Sequence, residues 1–166
     1  MIYALIGWLY EVFLEVVVYQ WGFSNRGILF GPYLPVYGFG ALTFILCFYR
    51  LLKDKSLKKK ILYIPIIFLG CMLVATAIEL VTSYICEFFT GSWPWQTYAS
   101  YKYNFEARIA LNPSIRFGIG GVIFLYVLQP LFDKLLAKLS DKTRNVIFSV
   151  LLTILIIDIV FSFFIF

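Results

Sequence analysis

The sequence predicts an all-α fold, a polytopic transmembrane helical bundle of about five spans. Three observations carry this. Hydrophobic residues make up 62% of the chain and charged residues only 14%, far from the balance of a soluble domain. Apolar runs of about 18 residues or more recur, the length needed to cross a hydrocarbon core. The lysines crowd into short connections between those runs, the asymmetry that orients membrane proteins. At 166 residues the expectation is a single integral membrane domain, 1–166, with spans at about 1–19, 35–52, 61–90, 114–132 and 146–166. Its obligatory partner is the lipid bilayer and its expected location the cell membrane, as a multi-pass protein.

The first span, 1–19, lacks a basic leader and a small-residue cleavage site, so it is read as a retained helix. Gly7, Glu11 and Glu15 share one of its faces. The surrounding Leu5, Ile6, Val12, Phe13, Leu14, Val16 and Val17 argue against a solvated face. The connection 20–34, QWGFSNRGILFGPYL, carries Trp21 for the water interface and a turn at Asn25-Arg26-Gly27. Pro32 and Pro35 keep a helix from starting early, and Pro35 suits the first turn of the next. Span two, 35–52, has Gly38 and Gly40 near its start and ends in Arg50, Lys53, Lys55, Lys58, Lys59 and Lys60 against Asp54.

Span three is the most informative. The stretch 70–91, GCMLVATAIELVTSYICEFFTG, is apolar enough to cross a bilayer yet contains Glu79, Thr82, Ser83 and Glu87. These lie at i, i+3, i+4 and i+8, one face of a helix. A carboxylate at mid-membrane costs at least ~2.5 kcal/mol, so it normally faces a protein interior or a wet cavity. The span is long enough that it must tilt or project, and Pro65 near its start can bend it. The connection 91–113 holds Trp93, Trp95, Tyr98, Tyr101, Tyr103 and Phe105, expected chiefly as headgroup-level anchors. Span four opens with Arg116 and is loosened by Gly118, Gly120 and Gly121. A second basic connection follows, with Lys134, Lys138, Lys142 and Arg144 against Asp133 and Asp141, and span five is apolar apart from Asp158 and a few hydroxyls.

Both lysine-rich connections belong in the cytoplasm, which places the N-terminus inside and the C-terminus outside. Glu11, Glu15, Glu79, Glu87 and Asp158 then fall toward the outer side, beneath loops carrying Arg26, Arg108 and Arg116. Buried charges need partners, so the expectation is an outward-facing pocket of carboxylates lidded by arginines. Its candidate binding residues are Glu79, Glu87, Glu11, Glu15, Arg26, Arg108, Asn25, Thr82, Ser83, Asn104 and Arg116. A purely structural set of Glu–Arg pins is the competing reading.

Several functions are excluded or weakened. The pI near 9.1 does not indicate nucleic acid, because the basic residues follow the membrane pattern. There is no histidine, and Cys47, Cys71 and Cys86 lie in apolar segments without CxxC spacing, so no metal site, disulfide framework or cofactor is expected. No GxxxxGK[ST] stretch occurs, so the chain is not itself a P-loop ATPase.

GWLYE in span one, NRGILFGPYLPVYGFGAL after it, ELVTSYICE in span three and YNFEARIALNPSIRFGIGG beyond it resemble a family of small bacterial membrane proteins labelled putative ABC transporter permease (type IV). The resemblance runs over about 7–130. Matching positions are Glu11, Asn25, Arg26, Gly27, Gly31, Pro32, Pro35, Tyr37, Gly38, Glu79, Thr82, Ser83, Glu87, Asn104, Arg108, Ser114 and Gly118. The chain departs from the family pattern at Trp95-Gln96-Thr97-Tyr98, where Trp-Asp-Tyr is usual, and at Ala107-Arg108, where Gly-Arg is usual.

The resemblance implies a membrane transport component, working alone, as a homo-oligomer or with a separate ATPase. On that reading the pocket takes a small polar or cationic solute, with Glu79 and Glu87 binding it and Arg26 and Arg108 closing above. An intramembrane enzyme acting on a lipid or lipid-linked phosphate headgroup is an alternative, with Glu79 as base and the arginines on phosphate. No nucleophile–base pair stands out, which weighs against an enzyme. A non-catalytic immunity or regulatory subunit is the third reading.

Overall fold

The computed structural model describes residues 1–25, 27 and 29–164, with the side chain of Phe163 excepted. Arg26 therefore lies outside the described residues. The chain is mostly helical. Helix α1 is Ile2–Phe13, continued by a π-turn at Leu14–Val18. Helix α2 is Pro35–Leu52, α3 is Leu57–Thr90, α4 is Leu111–Ala137 and α5 is Asp141–Phe164. Between α3 and α4 lie a 3-10 turn at Gln96–Ser100 and a small hairpin of β1, Asn104–Phe105, and β2, Ile109–Ala110. Among the described residues, α2, α3, α4 and the Asp141–Ser162 part of α5 are long and apolar enough to cross a membrane.

The helices run past the apolar stretches that announced them. Helix α3 begins at Leu57 instead of about 61, and α4 covers Leu111–Ala137 instead of about 114–132. The reason is that hydropathy marks only the part suited to lipid, whereas backbone hydrogen bonding continues through charged turns. Ser56, in extended conformation, precedes α3. Ser140 Oγ accepts the Thr143 N–H at 3.1 Å and starts α5 with a side-chain cap. Helix α3 ends at Gly91, whose φ of 76° is the left-handed cap that an L side chain rarely adopts, with its N–H on the Glu87 carbonyl. Both α2 and α4 contain π-turns, at Ile45–Tyr49 and Phe124–Leu128, each of which re-aims the side chains beyond it.

The chain divides into two compact units. The first comprises Met1–Ala41 with Phe132–Phe166, the second Leu42–Leu131. In the first, Ala4, Leu29 and Tyr33 form a buried cluster with Met1 and Leu155 against it. The Leu34 N–H bonds the Ala4 carbonyl at 3.0 Å and fixes the loop before α2 to α1. A Cβ on Gly7 would overlap the Tyr37 ring, so glycine is what lets α1 and α2 approach there.

In the second unit α3 and α4 pack closely. A Cβ on Gly118 would meet the Phe68 ring and, at 3.0 Å, its carbonyl oxygen, and one on Gly121 would strike Cys71. Ile67, Cys71 and Leu125 are almost wholly buried, and Phe44 of α2 lies 6.4 Å from Phe124, ring to ring. Many large apolar side chains, Leu46, Leu62, Phe88 and Phe148 among them, face outward, as expected of surfaces solvated by lipid.

Candidate functional site

Within the second unit, α3 presents Thr76, Glu79, Ser83 and Glu87 at i, i+3, i+7 and i+11, close to a single face. Thr76 donates to Ser114 Oγ at 2.7 Å, and Ser114 donates to the Ala110 carbonyl at 2.9 Å. Glu79 is only 8% exposed. Its Oε1 accepts the Tyr98 hydroxyl at 2.7 Å, while its Oε2 is buried with no hydrogen-bond partner among the described residues. An unsatisfied buried oxygen of this kind costs about 1–3 kcal/mol, more when charged. Ser83, fully buried, donates back to the Leu80 carbonyl at 2.7 Å.

Above this stripe sits the hairpin. Its turn places Glu106 and Ala107 at φ 50° and 54°, and the Arg108 N–H closes on the Phe105 carbonyl at 2.8 Å. Asn104 holds the turn from inside, accepting the Ala107 N–H at 3.1 Å and donating to the Tyr101 carbonyl at 2.7 Å. The Trp93 and Trp95 indoles fasten it from outside, donating to the carbonyls of Ala107 and Arg108 at 3.0 and 2.8 Å. These tryptophans thus brace a turn, a role the expectation of headgroup anchoring did not include.

The braced turn delivers Arg108 to α3. Its Nη2 meets Glu87 Oε2 at 2.5 Å, Nε meets Glu106 Oε2 at 3.3 Å and Nη1 meets Ser83 Oγ at 3.4 Å. The guanidinium carbon lies 4.1 Å from the Tyr84 ring centre and 4.0 Å from that of Trp93. Burial alone would weaken the arginine's charge. The Glu87 carboxylate, with help from Tyr84 and Glu106, instead holds its pKa above the ordinary value.

The first unit contains a separate set of acids. Asp158 on α5 accepts the Phe30 N–H at 3.0 Å and the Ser162 hydroxyl at 3.1 Å on Oδ1. Its Oδ2 accepts the Gly31 N–H at 2.8 Å and the Tyr33 hydroxyl. Burial, and then the bond to Asp158, raise the Tyr33 pKa, so that hydroxyl stays a donor. Glu11 accepts the Tyr37 hydroxyl, and buried Glu15 accepts Ser24 Oγ at 2.7 Å. Asn25 accepts the Trp8 indole N–H at 2.8 Å and donates to the Phe30 carbonyl at 3.1 Å.

A family profile described as Putative ABC-transporter type IV matches residues 1–163, almost the whole chain. The chain belongs to this family. No curated protein and no solved structure matches it.

In this type IV chain the residues singled out from sequence fall into two groups. Glu79, Ser83, Glu87, Arg108 and Asn104 share the second unit, with Thr82 half-buried beside them. Glu11, Glu15 and Asn25 belong to the first unit, and Arg26 is outside the described residues. Arg116 is exposed on α4. Sequence reasoning missed Tyr98, Tyr84, Trp93, Glu106 and Thr76 as partners in the second unit, and Asp158 with Tyr33 in the first. Thr76 was detectable, since it lies three residues before Glu79 on the same stripe. The bond from Tyr98 to Glu79 was not, because it depends on how the aromatic connection folds back.

Proposed function

We propose that this chain is a membrane transport component whose binding carboxylate is Glu79, taking a proton or a small cationic solute. The observation that supports this is the state of Glu79: deeply buried, held by one tyrosine hydroxyl, and left with a carboxylate oxygen that no described residue serves. A permanent structural acid would be expected to have both oxygens filled. The lipid-phosphate alternative is weaker, because Arg108 is already engaged by Glu87, Glu106 and Ser83. If the cycle uses ATP, its hydrolysis belongs to another subunit, since this sequence has no phosphate-binding loop.

The test compares wild type with Glu79→Gln in proteoliposomes, reading proton flux with an internal pH dye and uptake of labelled methylammonium. Wild type should carry at least one of these. The variant should lose most of that flux, about tenfold or more, while its melting temperature stays nearly unchanged. Full activity in a well-folded variant would remove Glu79 from the mechanism. Equal loss of folding and flux would make it a structural residue.

The same reading places α1 as a fifth span, with the N-terminus and both basic connections in the cytoplasm and the hairpin outside. Lys53, Lys55 and Lys58 near one connection and Lys134, Lys138 and Lys142 near the other support it. In a cysteine-free background, cysteines at Ser56 and Ser140 should resist an impermeant outside reagent and one at Ser100 should react. A cysteine at Met1 decides the span count: protection supports five, and outside labelling leaves four.

A further inference from the structure

The surroundings of Arg108 form a box built for a flat cation. The Tyr84 and Trp93 rings each lie about 4 Å from its guanidinium carbon. Glu87 and Glu106 supply carboxylates to separate nitrogens, and Ser83 closes the floor. Arg108 itself is 6% exposed, yet the Glu87 and Glu106 side chains are 42% and 57% exposed, so the box has an open, acidic mouth. Its occupant enters on a turn strained by two non-glycine residues of positive φ.

We infer that this box is a cation-binding site and that Arg108 is its tethered plug, displaced by an external guanidinium or methylated ammonium ion. The chemistry of recognition is supplied by the box, not by the tether. Two aromatic faces and two carboxylates bind any cation of matching shape, and stacking particularly favours planar guanidinium. Tethering raises the plug's local concentration, so the site is closed at low external cation. Ser83 lies one helical turn from Glu79 on α3, so a cation lodged in the box stands next to the carboxylate invoked above. The inference deepens the transport reading by naming guanidinium and alkylammonium ions as the class that enters. Its test is independent of flux.

The experiment is chemical rescue of the full chain in detergent. Thermal unfolding of wild type, Arg108→Ala and Arg108→Lys is followed while methylguanidinium, tetramethylammonium or sodium chloride is added at equal ionic strength. Emptying the box should lower the melting temperature by several degrees, since carboxylates are left unpaired. Methylguanidinium should restore most of that loss, saturably, in at least one variant, because a ligand bound only by the folded state stabilises it. Tetramethylammonium should restore less and sodium none, and wild type should gain less than either variant and only at higher methylguanidinium, because the tethered plug competes for the box.

A gain no greater than sodium gives, in both variants, would overturn the proposal, as would an equal gain in wild type. If Arg108→Ala accumulates only in cells supplied with methylguanidinium, the box is confirmed by that route. Failure of both variants to accumulate with or without it counts against the box. Rescue without any transport would leave the box standing and remove the transport reading. Glu79-dependent transport without rescue would do the reverse.

Discussion

Asp158 and Glu79 are both carboxylates buried on membrane helices, one in each unit, and they are served very differently. Asp158 has its oxygens filled by two backbone N–H groups and two hydroxyls, three of them from the loop before α2. Glu79 has one tyrosine hydroxyl and an oxygen with no partner among the described residues. The sequence separations tell the same story. Asp158 reaches back more than 120 residues to pin Phe30, Gly31 and Tyr33, whereas Glu79 is capped by Tyr98 from the next connection. Burial alone therefore does not mark a working acid in a membrane protein. The balance of donors separates the two: Asp158 has every oxygen filled, and Glu79 keeps one oxygen without a donor among the described residues.

That contrast is most easily broken at Asp158. Asp158→Ala should strand two amide donors and the Tyr33 hydroxyl, costing about 3 kcal/mol or more, since each buried donor left unpaired costs about 1–3 kcal/mol. Equilibrium unfolding in mixed micelles reads this directly, and a loss under about 1 kcal/mol would deny Asp158 its role as a staple.

A smaller effect of opposite sign should come from the hairpin. Ala107 sits at φ 54°, where glycine carries no Cβ penalty. Ala107→Gly should therefore stabilise the second unit by about 0.5–1 kcal/mol, the left-handed penalty less the added freedom of the unfolded chain. If relief of this turn instead lowers the melting temperature, the hairpin is not strained at this position. The smallest stability change belongs to Glu79→Gln, expected within about 0.5 kcal/mol because the amide keeps the Tyr98 bond and removes a buried charge. A loss approaching that of Asp158→Ala would erase the distinction between the two acids.

The helices of this fold were legible because lipid demands long apolar runs and lysine marks their ends. The stripe of Glu79, Ser83 and Glu87 was legible for the same local reason, a spacing that a helix converts to a face. Pairing was not local. Which carboxylate Arg108 would choose depended on the hairpin turn at Glu106 and Ala107, and nothing in composition forecasts two left-handed residues there. Asp158 was grouped with the other acids beneath the arginines, and its own partners, Phe30, Gly31 and Tyr33, were not legible because they lie at the other end of the chain. The π-turns in α2 and α4 left no mark in the hydropathy. The acids treated in the sequence as a single set belong to two compact units, Glu79 and Glu87 to one and Glu11, Glu15 and Asp158 to the other.

The length of α3 has a geometric consequence. At 1.5 Å per residue its 34 residues extend about 51 Å, against a hydrocarbon thickness of about 30 Å. Fitting it wholly within lipid would need a tilt of more than about 50°, beyond the usual range of 0–40°. Part of it must stand clear, and lysines 58–60 lie in its first turn. A hydrocarbon thickness of helix, about 20 residues, counted from those lysines reaches Glu79, and Glu87 lies about 12 Å farther along the axis. Glu79 is thus one hydrocarbon thickness along α3 from the lysines of its first turn, and Glu87, which holds Arg108, lies beyond it.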